Sequence, residues 1–590
     1  MNQLPSKSPA PDPAPSNVGS QPAVIGGADL LSTSRIVQAP DTPLSRIVDF
    51  ASRLCSSILI KETRQAIKSR QFLWTYLALL VVCAIWAIAG LTFNIDRSET
   101  GPEMLLGYFF IMGFPLGIIV PFSAYRSLTR EFEDGTIQLV SITTMRPWQI
   151  VAGKLGSALL QMLVYLSVLA PCIAFTYLLR GIGISQILIG TTICVSGSVC
   201  LTIVGLFLAG TTRSGALNVG MSVLFVVALA GIYFMWCGII SEFTTGSAFG
   251  NSSWGDQASV ILFGFVALFG STALLLFLSA AAQISFPSEN RSTATRWVML
   301  FQQVLFFAWF LAIFLVDSAY GNTMHYSDEF PLLMGFSYGH YWLLMGFLMS
   351  GESFPLSQRV RRDLPTTLLG KSFRSLLMPG PGRGFLFCVA NLVACTIVGC
   401  LIFLTLFSDN LMLRSFFPNN NQARFSYEVY EGCLTLVSTC VYVTSFLAVV
   451  YLLMTFRRRW PSVSVGQYNS LVGLLLGSIL VILSCLVGYA VQINLLGHDE
   501  YTFLQLFNWH WTTAEMADRS LTEAFVAAAF FAIVATPLIL FAIVLAAREL
   551  LVEPTTTPER VIQDLTPPEP QLPPGESIDD IFAPQGAQGD

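Results

Sequence analysis

The chain has 590 residues, of which 54% are hydrophobic and only 11% are charged, and its mean hydropathy is +0.64. Average soluble domains contain roughly 25% charged residues, so a chain this long and this apolar cannot bury its hydrophobic surface in one soluble core. The net charge of -5 excludes little, because the charges are unevenly distributed along the chain. Composition therefore predicts an integral membrane protein with many spans.

The two ends of the chain differ from its middle in composition. Residues 1–44 and 551–590 are rich in Pro, Ser, Gln and Gly, and the second segment is also acidic. Such segments cannot bury enough apolar surface to fold, so both are predicted to be disordered tails. The first 20 residues lack an apolar core, which argues against a cleaved signal peptide.

Segment 45–71 is predicted to be a basic amphipathic helix that lies at the cytosolic membrane interface before the first span. Its apolar residues recur at helical spacing and basic residues surround them. A simple topology anchor and a contact with a partner explain this pattern equally well. The apolar positions are Ile47, Phe50, Ala51, Leu54 and Ile58.

About twelve apolar runs are long enough to cross a bilayer core, which needs about 20 residues per helix. The runs are continuous rather than alternating, which excludes the strands of a membrane barrel. The predicted fold is therefore an all-α integral membrane protein with about 12 transmembrane helices. The runs lie near residues 72–93, 104–122, 155–179, 187–209, 216–239, 258–284, 297–316, 331–350, 384–407, 433–455, 471–491 and 524–547.

The placement of Lys and Arg predicts the orientation, because cytosolic loops carry an excess of these residues. The outer loops 240–257 and 317–330 contain neither residue. The bias holds across all twelve crossings only if both termini are cytosolic. In that orientation the outer loops contain five of the 31 Lys and Arg residues, namely Arg97, Arg180, Arg414, Arg424 and Arg519.

The loop between the second and third spans is charged and punctuated by Gly and Pro. The second span is predicted to continue as an amphipathic helix, which Asp134-Gly135 breaks. Residues 136–144 then form a short helix or turn with an apolar surface. Pro147 suits the first turn of the next helix, where its missing N–H has no cost. This order predicts a short transverse helix that is presented to a partner below the membrane.

This loop resembles the signature of ABC transporter permeases of the type-2 (exporter) class, which lies between the second and third helices in that family. The segment before the first span resembles the family's pre-span segment through Lys61, Glu62 and Arg64. The resemblance covers roughly residues 45–285. The matching loop residues, to which it assigns the coupling role, are Glu131, Glu133, Gly135, Thr136, Arg146, Pro147, Gly153 and Lys154.

The resemblance implies an elbow helix at the interface and a coupling helix that docks in a groove of a separate ATPase subunit. ATP and Mg are then used by that partner, and the chain itself binds no cofactor. It also implies a multi-pass protein of the bacterial cytoplasmic membrane, in contact with lipid and not with nucleic acid. The family handles lipids, polysaccharides, drugs, peptides and ions, so the cargo cannot be read from it.

The chain is not predicted to be an enzyme or to bind ATP itself. Residues 365–372 mimic the end of a phosphate-binding loop, but Pro365 replaces the first Gly and no strand precedes it. No soluble segment reaches the roughly 200 residues of an ATPase domain. The 12 Cys residues are scattered, mostly in apolar runs, without metal-binding spacing.

Residues 286–550 form a second membrane domain of six predicted spans, beyond the reach of the resemblance. Its inner loop 351–383 occupies the place of the first charged loop, and a second docking loop is one hypothesis. The residues concerned are Glu352, Arg361, Pro365, Gly370 and Lys371. An accessory domain with an ordinary basic loop is the simpler interpretation. A homodimer is expected if the half is accessory, and one chain per complex if it is a true repeat.

Two alternatives to the permease remain. Twelve spans with both ends inside also suit an ion- or proton-coupled secondary transporter, although its usual short basic second loop is absent. A membrane scaffold or an enzyme of lipid or glycan metabolism is disfavoured by the lack of convergent polar residues. His340, within a span, is a weak functional candidate. Trp509-His510-Trp511, in an outer loop, is predicted to pack at the membrane interface.

Overall fold

The computed structural model describes most of the membrane region and neither tail apart from Leu551. The first half of the predicted elbow segment and most of the predicted transverse helix lie outside the described residues. The residues described are 57–93, 101–137, 139, 145–178, 183–211, 215–244, 255–286, 288–319, 326–352, 356–362, 364, 367–407, 422–458, 469–497, 501–517 and 521–551.

Long apolar helices dominate the described residues. The helices in chain order are α1 (Ser57–Ile67), α2 (Arg70–Phe93), α3 (Gly101–Phe114), α4 (Val120–Glu133), α5 (Pro147–Leu178), α6 (Ile184–Thr211), α7 (Gly215–Thr244), α8 (Gly255–Ile284), α9 (Thr293–Ala319), α10 (Tyr326–Met349), α11 (Gln358–Arg362), α12 (Leu368–Leu376), α13 (Pro381–Phe407), α14 (Gln422–Arg458), α15 (Asn469–Val491), α16 (Trp509–Ala517) and α17 (Leu521–Ala547).

Twelve candidate membrane spans lie among these helices, in agreement with the number predicted from the sequence. A π-helical turn at Pro115–Ile119 joins α3 to α4, which together form a single span of 33 residues. Four helices are too short to cross a bilayer, namely α1, α11, α12 and α16. For the described residues, the all-helical, multi-span class is thereby confirmed, while the sidedness of the bundle stays a prediction.

The buried apolar side chains form two large clusters. One extends from Phe72 to Ile284 and the other from Leu275 to Ala546. The second and tenth spans are the most buried, and the first, fifth and eleventh are the most exposed. The central helices of the two clusters are therefore α3–α4 and α14.

Close helix contact in the second cluster depends on a small residue. A Cβ atom at Gly473 of α15 would lie 2.6 Å from the carbonyl oxygen of Phe347 on α10. Real Cβ atoms do not approach backbone atoms so closely, so α10 and α15 touch here only because Gly473 has no side chain. Small residues at contact points allow this approach in membrane bundles.

Candidate functional site

The charged loop between the second and third spans begins with a sharp helix end. The helix α4 ends at Glu133, and the backbone N–H of Asp134 still donates to the carbonyl of Arg130 at 2.8 Å. Gly135 then adopts a φ of 68°, a left-handed conformation that strains residues with a side chain. The break predicted at Asp134-Gly135 is confirmed.

The next helix begins at Pro147, also as predicted. The backbone N–H of Arg146 donates to the side-chain Oε1 of Gln149 at 2.9 Å and so helps to cap the helix. Between Gly135 and Pro147, residues 136, 137 and 139 are described in helical conformation, and residues 145 and 146 are described outside any helix. The predicted transverse helix therefore stays a prediction.

A buried lysine joins three helices directly beside the break. Lys154 on α5 is only 2% exposed, and its Nζ lies 3.0 Å from Oε1 of Glu131 on α4. The same Nζ lies 3.2 Å from Oε1 of Glu62 on α1. We call Glu62, Glu131 and Lys154 the ionic triad. The sequence analysis assigned Glu131 and Lys154 to the charged loop and Glu62 to the segment before the first span, and the structure brings the three into contact.

A hydroxyl completes the ionic triad. Lys154 Nζ donates to Ser127 Oγ at 2.8 Å, and Ser127 Oγ donates to Glu62 Oε2 at 3.0 Å. A buried ammonium needs such partners, because each charge loses several kcal/mol of hydration when it leaves water. Ser127 gave no signal in the sequence, since isolated Ser residues are common.

The protonation state of Glu62 follows from these contacts. Burial opposes ionisation of its carboxyl, but the charge of Lys154 and the hydrogen bonds from Ser127 and Lys154 outweigh burial, so the pKa is lowered. Glu62 is therefore ionised at neutral pH. The stability that the Glu62 carboxylate contributes is fully present above its unfolded-state pKa. This stability is lost as the pH falls through the lowered folded-state pKa.

The ionic triad connects α1 to the bundle. The helix α1 packs along α5. A Cβ atom at Gly156 of α5 would lie 2.9 Å from Cδ1 of Leu59 on α1. The triad adds charged contacts from α1 to both α4 and α5. The end of α4 beside the break and the start of α5 are thus both in contact with α1.

Glu133 faces a different helix from Glu131. Its Oε1 accepts a hydrogen bond from Nδ2 of Asn218 on α7 at 3.0 Å. Residues two positions apart in an α-helix differ by about 200° around its axis. Glu131 and Glu133 therefore lie on nearly opposite sides of α4. Asn218 is buried, and its carbonyl lies 3.5 Å from Tyr125 Oη. The end of α4 is thereby tied to the third and fifth spans.

The predicted coupling residues differ in burial, and Glu131, Gly135 and Pro147 are partly buried. Gly153 and Lys154 are buried and cannot touch a partner directly. Glu133, Thr136 and Arg146 are exposed, and Thr136 Oγ1 donates to the carbonyl of Glu131 at 3.3 Å.

Two large apolar side chains lie exposed beside the break. Leu139 is 68% exposed and Trp148 is 46% exposed. We call the exposed residues that flank the break the docking face. They are Glu133, Asp134, Thr136, Leu139, Arg146 and Trp148.

The remaining elbow residues point away from the triad. Lys61 and Arg64 on α1 are exposed, whereas Glu62 between them is 8% exposed. The helix thus presents its basic residues outward and its acidic residue inward. This arrangement fits a basic interfacial helix that is anchored by one internal carboxylate.

The second charged loop, after the eighth span, is organised by buried arginines. Arg296 on α9 is fully buried, and its Nη2 lies 2.6 Å from Glu352 Oε2. Its Nη1 donates to the carbonyl oxygens of Leu376 and of Met378, the latter at 2.7 Å. The Glu352 carboxylate also accepts from the backbone N–H of Gly380 at 2.7 Å. Glu352 is thus engaged within the loop.

Further arginines fix the same loop. Arg383 Nε donates to Ser375 Oγ at 2.9 Å, and Arg383 Nη2 donates to the carbonyl of Glu549 at 2.6 Å. Arg458 Nη2 donates to the carbonyl oxygens of Ser350 and Glu352. We call the described residues between 350 and 383, held in this way, the arginine-braced loop.

The other residues of the proposed second docking loop have varied positions. Arg361 lies in α11 and is partly buried, and Gly370 lies in the first turn of α12. Pro365 lies outside the described residues, as does the side chain of Lys371. The described part of this loop therefore contains no counterpart of the ionic triad at the predicted positions.

The histidine and tryptophan signals converge in the second half. Trp509 is fully buried among protein side chains and does not face outward from the bundle. It packs against Phe336 and His340 on α10, with ring centroids 5.4 and 4.9 Å away. Within the described residues, no group of three or more His, Cys, Asp or Glu could hold a metal ion.

Comparisons with known proteins add no relative: no family model matches the chain, and neither the curated proteins nor the solved structures contain a match. The class of the protein therefore rests on its fold and on its site alone. The chain is a multi-span α-helical protein of the membrane type, with a buried ionic triad beside the break between its second and third spans.

Proposed function

We propose that this chain is the membrane-spanning subunit of an ATP-driven ABC exporter and docks a separate ATPase subunit through the docking face. The observation that carries the proposal is the ionic triad. It links the site of docking to the elbow helix and to the third span through buried charges. A loop that served only as a connection between spans would need no such link.

The long second span supports a mechanical role. The α3–α4 segment is continuous over 33 residues, or about 50 Å at 1.5 Å per residue. It is also the most buried span of the first cluster. A push at its end beside Gly135 would therefore move the centre of the bundle, while Lys154 and Asn218 carry the motion to α5 and α7.

In this proposal the chemistry of ATP belongs to the partner. ATP and Mg bind the ATPase subunit, and closure of two such subunits moves the docked helices. The nearly charge-free spans favour a hydrophobic or amphipathic cargo. Transport of a small charged solute through a polar central site would contradict this cargo class.

Docking is tested on residues of the break and of the docking face. Leu139→Asp and the pair Glu133→Lys with Gly135→Pro are expected to abolish co-purification with the ATPase subunit. They should also reduce the coupled ATPase rate by at least tenfold. Leu139→Asp is the cleaner variant, because that side chain is 68% exposed, whereas proline cannot adopt the φ of Gly135.

Glu242→Lys is the matched control, since it reverses an exposed acidic residue at the far end of a span. The control should leave both the complex and the ATPase rate unchanged. If the docking variants, with unfolding temperatures like that of the wild type, also leave both unchanged, the docking assignment is wrong.

The orientation of the proposal has its own test. Single cysteines at Ser247 and Asn322, in a background without native cysteines, should react with a membrane-impermeant maleimide added from outside. A cysteine at Ser357 should react only after the membrane is opened. The reverse pattern would place the docking face on the wrong side for an ATPase.

A proton-coupled secondary transporter is the second candidate, because two histidines meet inside the second half. The two candidates differ in their energy source. Transport that stops when the catalytic glutamate of the ATPase is replaced supports the exporter. Transport that continues without the ATPase and follows a pH gradient supports the second candidate.

A further inference from the structure

The segment between the eleventh and twelfth spans folds back among the helices of the second half. The Tyr442 hydroxyl donates to the carbonyl of Leu506 at 2.7 Å. A Cβ atom at Gly339 would lie 2.9 Å from the ring of Trp509. Tyr442 and Gly339 both lie in the interior of their spans, Glu431–Arg458 and Pro331–Met349. The segment 501–517 therefore reaches the depth of the membrane interior.

We call residues 501–517 the re-entrant segment. Buried polar side chains supply hydrogen bonds to this segment. Gln492 Oε1 accepts from Gln505 Nε2 at 2.7 Å, and Gln505 Oε1 accepts from Asn508 Nδ2 at 3.0 Å. The Thr512 hydroxyl donates to the carbonyl of Gln505 at 3.0 Å. Gln492, Gln505 and Thr512 are fully buried. Backbone without regular helix at this depth is tolerated only inside protein or beside a watery cavity, and such broken segments commonly hold ions in transporters.

Two histidines meet at the edge of this segment. Nε2 of His510 on α16 lies 2.9 Å from Nε2 of His340 on α10. Their ring centroids are 5.0 Å apart. This distance exceeds the separation of the two Nε2 atoms by about two ring radii. The rings therefore point at each other head to head. This arrangement leaves room for one hydrogen between the nitrogens, whereas metal ligands converge on a separate point.

The neighbouring atoms determine which nitrogens carry hydrogens. His340 Nδ1 lies 2.7 Å from the carbonyl of Phe336, which can only accept, so His340 carries its hydrogen on Nδ1. Its Nε2 must then accept from Nε2–H of His510. The remaining nitrogen, Nδ1 of His510, lies 3.4 Å from Cys485 Sγ and accepts from the thiol. His510 Nδ1 therefore carries no hydrogen of its own, and it is the ring nitrogen of the pair that can take up a proton.

The ionisable groups that contact α16 from other elements include His340, Cys485, Tyr442, Tyr489 and Tyr501. Glu515 on α16 itself and Glu523 at the start of α17 act electrostatically on Tyr501.

We propose that His340 and His510 form a proton-binding site in the membrane interior of the second half. One proton from solvent adds to the lone pair of His510 Nδ1, and Cys485 Sγ then accepts that N–H instead of donating. The bond between the Nε2 atoms remains and becomes charge-assisted, so no contact is lost. A second proton would place hydrogens on both Nε2 atoms and separate the rings.

The site is tested by nitrogen-15 magnetic resonance on the full chain, labelled at its four histidines and embedded in lipid bilayers. At pH 7.5 we expect one neutral histidine protonated at Nδ1 and one protonated at Nε2, with both signals coupled across the shared hydrogen. On acidification the pair should take up one proton well before a second. His498→Gln serves as the control and should leave these signals unchanged.

Substitutions then assign the signals and the proton. His510→Gln and His340→Gln should each remove the coupling, and Cys485→Ala should lower the pH at which the pair takes its first proton. Two histidines that titrate independently near the ordinary value of about 6.5 would overturn the proposal. The wild-type spectrum alone decides this outcome if a variant does not fold. No ATPase is needed, so the result stands apart from the proposed exporter function.

Discussion

Lys154→Ala is expected to destabilise the protein by about 3–5 kcal/mol, because it leaves two partly buried carboxylates without their cation. Glu62 and Glu131 both lie within salt-bridge distance of the same Nζ, so their charges would then face each other. One of the two carboxylates would have to take a proton at neutral pH. We expect a lower unfolding temperature in detergent, measured by tryptophan fluorescence.

A compensating variant distinguishes the loss of the lysine charge from a simple loss of packing. Lys154→Met together with Glu62→Gln and Glu131→Gln removes all three charges and keeps most of the volume. It should recover most of the lost stability, because a charge-free replacement of a buried ion group is often neutral or stabilising. Lys68→Ala, an exposed change just beyond α1, is the control. Equal unfolding temperatures for Lys154→Ala and Lys68→Ala would contradict the role of the triad.

Local features of the site could be predicted from the sequence because their causes are local. Asp134-Gly135 ends a helix and Pro147 begins one through their own backbone preferences. The number of spans follows from the length of the apolar runs. These features need no knowledge of which helices are neighbours.

Contacts between distant residues could not be predicted in this way. Ser127 joins the triad only because α1, α4 and α5 meet, and no sequence pattern marks it. Trp509 was expected at the membrane interface because tryptophan favours that environment, yet it is buried beside Gly339. A composition rule cannot detect a re-entrant segment when its apolar rings face protein instead of lipid.

The two charged loops are built from different chemistry. In the first loop a lysine, a point charge on a flexible stem, joins two carboxylates beside an exposed face. In the arginine-braced loop, planar guanidinium groups bind backbone carbonyls, including those of Leu376 and Met378. Such groups fix the path of a loop more tightly than one ammonium can. This difference supports docking through the first loop and an accessory role for the second half.

Arg296→Ala is accordingly expected to release the arginine-braced loop and to cost about 3–5 kcal/mol. The substitution leaves the carboxylate of Glu352 without its cation and removes a donor from two carbonyls. Trypsin should then cleave after Arg359 and Arg362 at least tenfold faster, as followed by mass spectrometry of the fragments. Arg374→Ala, an exposed change on α12, should leave cleavage at these two sites unchanged.

Arg296→Lys distinguishes bracing from charge balance. Lysine restores the positive charge, but its single ammonium cannot reproduce the planar fork that reaches Glu352 and both carbonyls. We therefore expect Arg296→Lys to remain substantially destabilised and to be cleaved nearly as fast as Arg296→Ala. If Arg296→Lys instead matches the wild type in unfolding temperature and in cleavage rate, then charge alone holds the loop. The argued difference between the two charged loops would then lose its basis.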